Sequence, residues 1–105
     1  MVDYLTENNV PSPGVLPTDP EGTQIISLDG GFIKWVDGEE VLMHQIYVER
    51  DKRRSGVGRK LMQELYKIAQ GRPMISYSSA DENNPFYHFM ISEGWEQIDW
   101  TTWIK

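Results

Sequence analysis

The residues best placed to do chemistry lie in one stretch, Val48-Glu49-Arg50-Asp51-Lys52-Arg53-Arg54-Ser55-Gly56-Val57-Gly58-Arg59-Lys60. Arg50, Lys52, Arg53, Arg54, Arg59 and Lys60 face a single acid, Asp51, which leaves +5 on residues 50–60. The other 15 acids and four bases leave −11 on the remainder, and the whole chain carries −6. A glycine-punctuated turn between a strand and a helix aims successive amide N–H groups and the positive helix end at one spot, so it binds anions. Glycine suits such a turn because a Cβ would hold a phosphate away from those amides. Two familiar phosphate motifs fail here. A Walker loop needs Gly-Lys-Ser/Thr, whereas Gly58 is followed by Arg59-Lys60-Leu61. A dinucleotide fingerprint needs a third glycine where Leu61 stands and an acid after the next strand. What remains is Arg53-x-x-Gly56-x-Gly58 opening a helix, a site for a compact polyanion. The acidic remainder argues against nucleic acid as that polyanion and implies that any second substrate is neutral or cationic.

The elements that must position this turn can be read from pattern. "TQIISL" (23–28) and "GFIKWV" (31–36) flank Asp29-Gly30, a hairpin signal, and "VLMHQIYV" (41–48) is a long apolar strand. From Val57 the period becomes helical, with Val57, Leu61, Leu65 and Ile68 on one stripe that Met62 and Ala69 widen. Gly71 and Pro73 stop this helix near residue 70. "MISYSS" (74–79) is a fourth strand, and Asn84-Pro85 caps a short helix over 85–93 that ends at Gly94. "WEQIDWTTWIK" closes with β-favouring residues. The order is β-β-β-α-β-α-β, an α/β class with a mixed, mostly antiparallel sheet and two main helices. Pro11, Pro13, Pro17 and Pro20 make residues 1–22 an extended arm ahead of a domain over 23–105.

Length suits one domain. No window approaches 18 consecutive apolar residues, so no membrane partner is expected. Asp3, Glu7, Asn8 and Asn9 interrupt any signal-peptide pattern. The absence of cysteine removes disulfides, thiolate metal sites and a cysteine nucleophile, and fits a cytoplasmic location. No metal site is expected.

Residues 48–58 resemble the acyl-CoA signature of the GNAT superfamily of N-acetyltransferases, with Arg53, Gly56, Val57 and Gly58 on its core pattern Arg/Gln-x-x-Gly-x-Gly/Ala. The family's second block, Asn-x-x-Ala-x-x-Leu-Tyr-x-x-x-Gly-Phe, is similar to Asn83, Phe86, Phe89, Met90, Gly94 and Trp95 at the same spacings. The resemblance implies a short GNAT member that binds acetyl-CoA as cosubstrate and passes the acetyl group directly to a primary amine in a ternary complex. It implies that Arg53, Arg54, Ser55, Gly56, Val57, Gly58, Arg59 and Asn83 hold the coenzyme. It also implies that the strand at Ile46, Tyr47 and Val48 binds the pantetheine as though adding a strand, with an amide polarising the thioester carbonyl.

Two departures from the family stand out. Met90 occupies the position of the family's proton-donating tyrosine, and a thioether donates no proton. Tyr87, one helical turn earlier, is the substitute, and His44 is the candidate general base, expected on the strand face of Ile46 and Val48. Packing roles are the alternative for both, and His88 reads as a surface residue. Members also usually carry two helices between their first two strands, for which Asp29-Gly30 leaves no room. The arm with Trp35, Trp100 and Trp103, or a homodimer partner, then becomes the acceptor wall. The acceptor is a small-molecule or protein amine. A second reading is an inactive acyl-CoA-binding module acting through protein partners, and a third is nucleic-acid binding by residues 50–60, which lack interleaved aromatics.

Overall fold

A computed structural model describes residues 11–105; the first ten residues of the expected arm lie outside them. Strands β1 (Thr23–Leu28) and β2 (Gly31–Val36) form the hairpin around Asp29-Gly30 with in-register pairing from Leu28↔Gly31 to Thr23↔Val36. Nothing but that two-residue turn stands between them. Strand β3 (Val41–Val48) pairs antiparallel with β2 and leads through a short 3-10 turn, Arg50–Lys52, into helix α1 (Val57–Ala69). Strand β4 (Met74–Tyr77) returns parallel to β3, and helix α2 (Pro85–Ser92) follows. The closing β-rich run divides into β5 (Glu96–Asp99) and β6 (Thr102–Ile104), where one strand was expected. The division falls where Asp99 Oδ1 accepts hydrogen bonds from Thr101 N and Oγ1 at 2.9 and 3.0 Å, a side-chain-made turn. The sheet order is β1-β2-β3-β4-β6-β5.

The alternation expected of the strands and the stripe expected of α1 meet in one core. Leu61, Met62, Leu65 and Ala69 of α1, with Phe86 and Met90 of α2, pack on Ile33, Trp35, Val41, Met43, Ile46 and Val48. Complete burial of each Leu, Ile or Met contributes about 1.5–3 kcal/mol. Asn84 Oδ1 accepts from Phe86 N at 2.9 Å and Pro85 follows, as the cap pattern requires. Trp35 and Trp103 belong to this core, so neither can wall an acceptor site, whereas Trp100 is 79% exposed. Residues that alternate with the core set, Phe32, Lys34 and Tyr47, point to the other face. Residues 11–22 carry no helix or strand and reach that face at Asp19, which contacts Lys34. Among the described residues no helix is long and apolar enough to cross a membrane.

Candidate functional site

The glycine turn is held from behind by its own arginine. Arg53 Nε donates to the carbonyl of Val48, the last residue of β3, at 2.9 Å, and the guanidinium lies 5.9 Å from the Tyr47 ring centre. Arg54 (φ 65°) and Gly56 (φ 88°) take left-handed backbone conformations, which bend the chain sharply into α1. Gly56 is the N-cap and supplies no side-chain cap. The first helical bond runs from Lys60 N to Gly56 O at 3.0 Å, so the amides of Val57, Gly58 and Arg59 precede it and have no carbonyl inside the helix. The first turn of α1 carries no acid. The result is a positive helix end, a setting that favours an anion.

That end opens into a cavity of about 740 Å³. Of the residues expected to bind the coenzyme, Val48, Arg53, Arg54, Gly56, Gly58, Arg59 and Asn83 line it. The side chains of Ile46, Tyr47, Ser55 and Val57 are placed elsewhere, for separate reasons. Ile46 is fully buried in the core, and Val57 packs against that core. Tyr47 pairs with the Phe32 ring at 5.8 Å on the opposite face. The Ser55 hydroxyl donates to the Lys52 carbonyl. The second wall comes from α2: Pro85, His88, Phe89 and Ser92, with Glu93 beyond the helix. His88 is exposed, as its place on the polar side of the helix implies, and it also lines the cavity: residues 85, 88, 89 and 92 have helical spacing on a stripe distinct from Phe86 and Met90. That second stripe was the available signal. His88 Nε2 donates to the Glu82 carbonyl, which fixes the ring at the cavity rim.

The two glycines serve different ends. A Cβ on Gly58 would stand 3.1 Å from Phe89 Cε1 and 3.7 Å from Val48 Cγ2, so this residue lets α1 close on α2. Keeping a Cβ away from a phosphate is therefore not its first task. A Cβ on Gly56 meets nothing within 4 Å, and its positive φ is what demands glycine.

In the second wall of the cavity, the Glu93 carboxylate is 5% exposed and accepts from Tyr66 Oη at 2.9 Å and from Arg59 Nη1 at 3.3 Å. Trp95 Nε1 donates to Tyr66 Oη at 3.2 Å. Burial, with Glu93 adding to it, pushes the Tyr66 hydroxyl far above its ordinary pKa, so it stays a proton donor to Glu93. Glu93 in turn orients Arg59 at the cavity wall.

Beyond Val48 the relevant surface is the edge of β3. Its parallel pairing with β4 consists of Val41↔Met74 and Leu42↔Ile75, after which Ser76 Oγ donates to Met43 O at 2.9 Å and the strands part. The register with β2 shifts at this level, because Lys34 pairs with Gln45 and Trp35 with Met43, which leaves His44 as the bulged residue. The bulge inverts the alternation expected for this strand. Met43 and then Ile46 and Val48 enter the core, and His44 lies on the opposite face, 3.3 Å from Asp19 Oδ1 through Nε2. Burial holds the imidazole below its usual pKa of 6.5, against the pull of the Asp19 carboxylate. Tyr87 packs edge-on against Trp103 at 5.5 Å, and Trp103 is the strand partner of Ser76. Met90 has no exposed surface.

The Acetyltransferase (GNAT) domain family model matches residues 19–90. The chain belongs to the GNAT acetyltransferase family. Among solved structures it is similar to the anti-CRISPR protein AcrVA5, at 22% identity and a TM-score of 0.66 over 80% of this chain and 98% of that one. It is also similar to the PaiA N-acetyltransferase of Thermoplasma acidophilum in complex with coenzyme A, at 21% identity and a TM-score of 0.58. That match covers 71% of this chain and 50% of the PaiA chain, so the present chain spans about half of that relative. At these identities the structural likeness speaks for the fold. No curated protein sequence shows significant similarity.

Proposed function

We propose that this GNAT domain transfers the acetyl group of acetyl-CoA to a primary amine by direct attack in a ternary complex. The observation that carries the reading is the cavity at the start of α1, where no side chain caps the helix. It gathers Arg53, Arg54 and Arg59 around the first helix amides and adjoins the end of β3 at Val48. A pyrophosphate suits the amides of Val57, Gly58 and Arg59, and the arginines supply the positive field. From Val48 back to His44 the edge of β3 has left β4, so its backbone, apart from the Val48 carbonyl that Arg53 engages, is available to an extended pantetheine as to an added strand. An amide at the bulge is the donor for the thioester carbonyl. Acetyl-CoA supplies an acyl carbon bonded to a good leaving thiolate.

His44 is the base in this reading. A primary amine with an ordinary pKa near 10 is mostly protonated at neutral pH, so attack needs a proton acceptor, and a neutral imidazole on β3 two residues past its last pairing with β4 is one. Tyr87, against Trp103, donates to the departing thiolate, with water as its competitor. The acidic body favours a cationic acceptor, such as a polyamine, an aminoglycoside-like amine or a protein amine, and a cytoplasmic setting suits such acceptors.

The test is thiol release from acetyl-CoA over a panel of amines. Amine-dependent release is expected, greatest with polycationic acceptors. Coenzyme A binding with no release from any amine would instead favour the inactive binding module, the reading that the buried Met90 at the tyrosine position supports.

A further inference from the structure

A buried ionic cluster lies on the sheet face opposite the core. Lys34 Nζ is 2.8 Å from Asp19 Oδ2, and these side chains are 1% and 6% exposed. The same Oδ2 accepts from Leu16 N at 2.8 Å, while Oδ1 faces His44 Nε2 at 3.3 Å. A buried ammonium requires an anion beside it, so Lys34 alone accounts for an acid at position 19. It does not account for the second oxygen being turned to a histidine at the bulge of β3. With Oδ2 held by two donors, the carboxylate cannot swing, and the direction of Oδ1 is fixed.

We propose that Asp19 is a positioning residue for His44: its carboxylate, pinned by Lys34, orients the imidazole on the sheet face opposite the core and offsets the charge the ring gains during acetyl transfer. This rests on the reading of His44 as the base. In the step concerned, the amine lone pair forms the C–N bond and the C–S bond breaks with its electron pair kept on sulfur. The proton leaving nitrogen passes to His44, giving an imidazolium that faces an ionised carboxylate, and the thiolate takes its proton from Tyr87 or water. The hydrogen bond from Lys34 holds the Asp19 carboxyl below the usual carboxylate range, so Asp19 is charged whenever His44 is working. Among the described residues, the charged groups acting on His44 are Asp19 from the N-terminal segment and Lys34 from β2.

The experiment compares His44→Gln, Asp19→Asn, the double variant Asp19→Asn/Lys34→Met and the triple variant that adds His44→Gln. The double variant removes the buried ammonium together with its partner, so it stays informative if Asp19→Asn alone fails to fold. Initial rates are measured against pH with acetyl-CoA and a polyamine. The double variant should lose on the order of 10-fold or more in kcat with KM for acetyl-CoA unchanged. Its acid limb should move to lower pH, since an imidazolium without the carboxylate deprotonates more easily. The triple variant should be no slower than His44→Gln. A reduced His44→Gln rate with an unmoved acid limb in the Asp19 variants, or losses that multiply in the triple variant, would overturn the role of Asp19 alone. Full turnover by His44→Gln would overturn both this inference and the assignment of the base.

Discussion

His44 owes its position to one extra residue in β3, and its chemistry to what that residue displacement brings near. If it takes the acceptor's proton, His44→Gln should lower turnover by about 10²-fold or more while leaving coenzyme A affinity nearly unchanged. The pH sign follows from burial, which lowers the folded-state pKa below 6.5. Activity should therefore hold at neutral pH and fall as the pH drops through that lowered value, because an imidazolium accepts no proton. Tyr87→Phe should cost less, since water also protonates a thiolate. The ion pair beside His44 gives a stability prediction at the same scale. Asp19→Ala leaves Lys34 charged and buried and should cost about 3–5 kcal/mol in urea unfolding. Lys67→Ala, which breaks an exposed helical pair with Glu64, should change stability by about 0.5 kcal/mol or less. For Asp19 the folded pKa is depressed, so its contribution is present above pH 3.8 and is lost as the pH falls through the lower folded value.

Helix α1 and the first hairpin were legible because their signals are local. A 3.6-residue stripe and an Asp-Gly turn act within a few residues, and both elements lie where the pattern put them. The face of His44 was not legible, since it depends on a register shift opposite Lys34 and Trp35, which a period-two count along β3 alone cannot contain. Asp19 was hidden for a related reason: its partners come from β2 and β3, and only the sheet brings them to one point. The β5–β6 turn lacks glycine and proline and is made by the Asp99 side chain, which left no marker to count. The packing of α1 on α2 carries the next prediction. Gly58→Val should press on Phe89 and Val48, destabilise the domain by about 1–3 kcal/mol and weaken coenzyme A binding, as read by thermal melts with and without the ligand. Gly56→Ala meets no neighbour but must hold φ near 88°, so about 1 kcal/mol of backbone strain is expected, with binding retained.

Across the whole molecule the charge is divided in a way the fold explains. Arg53, Arg54 and Arg59 of the +5 turn line the cavity at the start of α1, and most of the acids lie on the rest of the chain. Such a division concentrates a polyanion at one place and repels extended ones. Coenzyme A affinity should fall with added salt, as expected for a ligand held largely by partly exposed cations. The most direct measurement of the central claim is a calorimetric titration of the full chain with coenzyme A and, separately, with duplex DNA. One coenzyme A site of micromolar affinity or better is expected, about −8 kcal/mol or more favourable, with no heat from DNA. Heat from DNA with none from coenzyme A would contradict it.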